Sequence, residues 1–107
     1  MKTTILLCII LVLTACAAKK SIVLSQNDAD RANTTFPGAS LASLNEGKMH
    51  YEQNCNKCHG LKKPASRTEA EWREIVPRMA KKAKVDANTE NLILQYVVTM
   101  GPLNAPK

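Results

Sequence analysis

The run Cys55-Asn56-Lys57-Cys58-His59 is the feature that most limits what this chain can fold into. Two thiols three residues apart fit one helical turn, so both can face a single partner. His59 follows directly behind them. The rest of the sequence offers little else to build around. Only four of the 107 residues are aromatic: Phe36, Tyr51, Trp72 and Tyr96. The stretch able to form a globular unit is confined to about 46–107, and domains of that size bury a thin core and commonly need a staple beyond their side chains. The sequence has no repeated apolar runs of membrane-spanning length, no phosphate-binding glycine loop and no internal repeat. A multi-span membrane protein and a nucleotide-binding fold are therefore excluded.

A flat porphyrin with two vinyl groups on adjacent edges suits that thiol pair, and His59 is placed to bring its imidazole under the iron. Cys-x-x-Cys-His therefore reads as the attachment of one covalent haem c through Cys55 and Cys58, with His59 as an iron ligand. Three other readings use the same residues. A thioredoxin-like redox pair needs a strand–helix unit, and the sequence shows no convincing strand. A structural zinc site needs four ligands, with only His50 and His59 left to complete it. A plain structural disulfide leaves His59 without a role.

The N-terminus reads as an address. After Lys2 comes an unbroken apolar run over 5–13. It has the length of a secretory signal core and is too short to span a bilayer as a mature helix. Leu13-Thr14-Ala15-Cys16 closes it. Here the sequence resembles a bacterial lipoprotein signal; the alternative is an ordinary signal peptide with a chance cysteine. The resemblance implies that 1–15 are removed and that the Cys16 thiol becomes the lipid attachment site. Its new amino group is usually acylated as well. Two or three acyl chains anchor stably where one is marginal. The expected location is the periplasmic face of the bacterial cell envelope, where c-type haem is also attached. Ala17, rather than Asp, follows Cys16, a pattern that resembles outer-membrane sorting.

Residues 16–44 read as the lipidated cysteine and a flexible tether. Lys19-Lys20, then Ser, Asn, Asp, Thr and Ala, precede Pro37-Gly38, and apart from Ile22-Val23-Leu24 nothing apolar recurs with a helical or strand period. As a random coil, 17–40 would span about 25–30 Å. Residues 45–107 read as an all-α domain. A first helix is expected over about 45–54. A second starts at Thr68, with Glu71 completing a capping box. Its apolar stripe is Trp72, Ile75, Val76, Met79, Ala80 and Ala83, and Pro77 inside that stripe is expected to kink or split it. A third helix starts near Asp86 or Asn88, carries Leu92, Ile93, Tyr96, Val97 and Met100, and stops at Gly101-Pro102.

From Gly47 to the C-terminus the chain resembles a small class I cytochrome c. The run from Gly47 through Tyr51 into Cys55, Cys58, His59 and Gly60 matches that family's N-terminal helix and haem motif. The resemblance implies an all-α domain wrapped around one haem, with no catalytic turnover of its own. It also implies that Gly47 and Tyr51 pack against the C-terminal helix at Tyr96. A sixth iron ligand is expected between the haem motif and the last helix, where Met79 is the only methionine. Met100, His50, a lysine or an open site are the alternatives. The sequence departs from the family in lacking a Pro-Gly-rich loop before that ligand. Trp72 is expected to pack on the haem, its indole N–H finding a propionate or a backbone carbonyl. His50 is expected to be exposed.

The chain carries 15 Lys and Arg against 9 Asp and Glu, a formal charge of +6. Nine cations fall between Lys57 and Lys84, opposed by Glu69, Glu71 and Glu74. Any single lysine there reads as a solvated surface residue. Together they form a basic rim that would steer redox partner proteins with acidic docking surfaces. Lys19 and Lys20 would touch anionic headgroups. The compartment excludes nucleic acid. The expected function is single-electron transfer by a membrane-anchored c-type cytochrome. The alternative is a haem subunit with an open or switchable sixth site, as a peroxidase or oxidase component or a redox or gas sensor.

Overall fold

The computed structural model describes residues 21–55 and 60–102. Four α-helices run α1 Gln26–Thr35, α2 Leu41–Asn54, α3 Glu69–Ala83 and α4 Ala87–Thr99, with a one-turn 3-10 helix at Pro64–Ser66. Among the described residues there is no strand, and no helix is long and apolar enough to cross a membrane.

Capping chemistry fixes where α2, α3 and α4 begin, as it does for α1. The Ser40 hydroxyl accepts from the Ser43 amide ahead of α2, and Thr68 with Glu71 forms the expected capping box ahead of α3. Asp86 accepts from the Thr89 amide at the start of α4. Each satisfies an amide that the first turn otherwise leaves unpaired. The amide hydrogen bonds hold the Glu71 and Asp86 carboxyls below their usual range.

The centre is the crossing of α2 and α4. Gly47 sits directly on the α4 backbone: a Cβ there would fall 2.7 Å from the Leu92 carbonyl carbon and 3.1 Å from Tyr96 Cβ. One turn on, Tyr51 packs against Tyr96 with the rings tilted and centroids 5.8 Å apart, and meets Trp72 of α3 edge-on at 6.0 Å. Val76, Ile93 and Val97 complete this core. The contact expected of Gly47, Tyr51 and Tyr96 is present.

Two expectations are corrected. The span 16–44 is not a tether over its described part. Ser25 and Asp28 form a capping box, and α1 buries Ala29 and Ala32 against Leu44. Its exit turns through Gly38 in the left-handed region, the Gly38 amide donating to Asn33 at 2.8 Å. Phe36 then lies under the Arg73 guanidinium of α3, 5.2 Å from the ring centroid. Ahead of α1, Ile22 and Leu24 pack against the main core. Among the described residues the folded unit therefore takes in Ile22 onwards, and α2 begins at Leu41 rather than 45. A small alanine face does the burying, so the segment reads as polar. Pro77 also fails to split α3, which is continuous over Glu69–Ala83. Pro77 is on the exposed face, where water can satisfy the carbonyl it leaves free.

α3 ends in a Schellman turn, with Lys84 at φ 57° and the Val85 amide donating to the Ala80 carbonyl at 3.1 Å. Lys84→Gly should raise stability by about 1 kcal/mol, because a side chain at this φ is strained. Gly47→Ala should lower it by about 3 kcal/mol, since the new methyl meets backbone and the helices must separate. Denaturant midpoints, compared at constant slope, check both.

Candidate functional site

Beside the Tyr51–Trp72 contact lies a largely apolar pocket that opens to solvent. The end of α2 contributes Tyr51, Asn54 and Cys55; α3 contributes Trp72, Ile75, Val76, Met79, Ala80 and Ala83. Val85 and Ile93 close it from the α3–α4 turn and α4, and Gly60 and Lys62 border it from the segment that follows the cysteine motif.

The α3 stripe does two jobs. Trp72, Val76 and Ala80 are buried at i, i+4, i+8, while Ile75, Met79 and Ala83 follow the same spacing beside them, half-buried along the pocket. One 15-residue helix thereby faces both the protein core and the pocket.

Two carbonyls pin the segment after the motif. Trp72 donates its indole N–H to the Pro64 carbonyl at 2.9 Å, and the Tyr51 hydroxyl donates to the Lys62 carbonyl. Trp72 thus takes the backbone partner expected as one of its two options. Burial, together with Cys55 and Tyr96 nearby, pushes the Tyr51 phenol up, so it remains a donor at neutral pH. Tyr96 is pushed up to about 12 by burial and by Glu52.

Cys55 caps α2, half-buried on the pocket wall, and burial raises its thiol pKa. Cys58 and His59 lie outside the described residues, as does Cys16. Of the side chains considered as a sixth ligand, Met79 lines the pocket. Met100 packs on the core and borders a separate groove. His50 is half-buried, not exposed as expected, with its ring 3.7 Å from Glu46 and away from the pocket. Met49 is exposed. Lys62 is the lysine that borders the pocket. Among the described residues no three His, Cys, Asp or Glu side chains cluster as a metal site.

Val85, Ile93 and Asn54 are the lining residues that sequence reasoning missed. The apolar residue after a helix end is a usable signal, because a Schellman turn folds it back onto the last turn. Scans of family models, curated proteins and solved structures return no match to this chain.

Trp72→Phe keeps the ring in the core but orphans the Pro64 carbonyl. It should cost about 1–3 kcal/mol. Amide exchange near Pro64 should quicken more than exchange in α4.

Proposed function

We propose that this chain is a lipid-anchored, single-haem c-type cytochrome that passes electrons between redox proteins in the bacterial cell envelope. The observation that carries the reading is the position of Cys55. The first thiol of a Cys-x-x-Cys-His run lies on the wall of an apolar pocket that also contains Met79. The residues present fit such a group. The pocket walls are largely aliphatic and aromatic, as cofactor sites usually are, with Asn54 and Lys62 as polar groups on the border. The crossing of Gly47 and Tyr51 on α4 supports the likeness to class I cytochromes c. The thioredoxin-like alternative lacks support: among the described residues no strand flanks the motif, and the Cys55 thiol is raised rather than lowered.

In this reading Cys55 and Cys58 hold the haem through thioether bonds, and His59 and Met79 are the iron ligands. When bound, the haem supplies a reversible one-electron couple between ferrous and ferric iron. Trp72, Ile75, Val76 and Ile93 exclude water, which favours the less charged state of whatever they enclose. Lys81, Lys82 and Lys84 are exposed cations at the C-terminal end of α3, suited to acidic partner surfaces. The chain carries no turnover chemistry of its own. Cys16 bears the lipid.

Acid–organic extraction should leave the colour on the polypeptide, and Cys55→Ala or Cys58→Ala should yield little stable coloured protein. Haem passing into the organic phase overturns the reading. Met79→Ala should abolish the near-infrared sulfur-to-iron band of the oxidised protein, lower the potential and admit carbon monoxide. Met100→Ala should keep the band and lose only the packing of a half-buried side chain, about 1–2 kcal/mol. Carbon monoxide binding by the unaltered protein would move the assignment to an open-site haem subunit.

A further inference from the structure

A second groove lies on the other side of Tyr51 and Lys62, and no α3 residue lines it. Its rim combines three features. Val23 is 87% exposed and Leu61 40% exposed, two of the three large hydrophobic side chains left in solvent among the described residues. Lys62 and Lys63 stand beside them, both exposed, with no carboxylate within ion-pair distance among the described residues. Glu52, the acidic side chain on the same rim, is held by Lys48 at 2.8 Å.

The local backbone explains why these side chains point out. Residues 21–24 alternate exposed and half-buried, so Ile22 and Leu24 enter the core and Val23 is turned away from it. The carbonyls of Lys62 and Pro64 are drawn inward by Tyr51 and Trp72, which leaves the lysine side chains outside.

Chain length places this rim at the membrane. Five residues separate Cys16 from Ile22, the first of the described residues packed on the core. Fully extended, that segment reaches about 20 Å. A domain so closely leashed cannot swing as the expected 24-residue tether would allow. The face it turns towards the bilayer is the one where the leash emerges.

We propose that Val23, Leu61, Lys62 and Lys63 form a docking face for the anionic phospholipid surface, holding the domain in one orientation on the membrane. The inference rests on Cys16 being the lipid anchor. Apolar tips among unpaired lysines suit the boundary between headgroups and acyl chains. Lys62 borders both the groove and the cofactor pocket, so docking fixes the pocket close to the lipid surface. α3, with Lys81 and Lys82, stays clear for protein partners.

The lipidated holoprotein is placed in phosphatidylglycerol vesicles, and lysine acylation is mapped against the same protein in neutral detergent. Lys62 and Lys63 should be protected about threefold or more on vesicles, and Lys81 and Lys82 unchanged; protection should fade in phosphatidylcholine vesicles or high salt. A second arm uses the full mature chain carrying Cys16→Ser. It should remain coloured and leave the membrane fraction, and should still partition weakly to phosphatidylglycerol. Adding Val23→Ser and Lys63→Gln should cut that partitioning about tenfold, while Met49→Ser leaves it unchanged. Uniform acylation on vesicles overturns the docking face while the anchor stands. Protection already present in detergent means the chain's own residues cover the groove, and also overturns it. A Cys16→Ser protein that still pellets with membranes overturns the anchor itself.

Discussion

Contact between Gly47 and the α4 backbone is the constraint on which the rest of the structure depends. With no side chain on α2 at that point, the two helices meet at backbone distance, and a methyl group would collide with the Leu92 carbonyl group. The close approach brings Tyr51 onto Tyr96, and Tyr51 in turn meets Trp72. A domain with so few aromatics gains most from them by setting three around one crossing, where Tyr51 buries area against both of the others. α3 reaches that crossing through Trp72 and Val76, so the pocket wall is positioned by a contact in which α3 itself takes no part.

Tyr51 carries that geometry into the site. Its ring belongs to the core, while its hydroxyl holds the Lys62 carbonyl. Trp72 does the same from α3, with its ring packed and its indole N–H on the Pro64 carbonyl. The segment between the cysteine motif and α3 lacks α-helical structure, yet two aromatic side chains fix its course from beneath. A buried hydrogen bond to a carbonyl is costly to leave unmade, so each of these contacts selects one backbone path.

Residues whose local chemistry agrees with their tertiary role were legible in the sequence. Thr68 with Glu71, and Asp86 with the Thr89 amide, start helices where capping predicts. The α3 stripe and the Gly47–Tyr51–Tyr96 crossing also follow from sequence. α1 did not, because Ala29 and Ala32 do its burying and a face of methyl groups scarcely differs from a polar linker in composition. Ile22-Val23-Leu24 was equally opaque: three apolar residues in a row show no period, and only the fold shows that the middle one faces out. Pro77 misled for the opposite reason. Its disruptive chemistry is real, but on an exposed face the lost hydrogen bond is replaced by water. The pocket was legible through Cys55, Trp72 and Met79, while Val85 and Ile93 came into it only through the turn at Lys84 and the α4 crossing.

The two stripes of α3 differ in what holds them. All six line the pocket, but Trp72, Val76 and Ala80 are already buried by the protein itself, whereas Ile75, Met79 and Ala83 remain half-buried. The α2–α4 crossing is closed by the chain alone, through backbone contact and paired tyrosines. α3 instead rests on one apolar stripe, the Trp72 hydrogen bond and Phe36 under Arg73. Filling the pocket with a covalently held apolar ring would bury the second stripe, adding roughly 25 cal/mol for each Å² removed from water. In the proposed cytochrome, attachment at Cys55 and Cys58 would act chiefly on the order of α3, the helix that carries Met79, and much less on the α2–α4 pair. Holding the ligand and completing the fold would then be one event, with the energy of burial spent where the coordination needs rigidity.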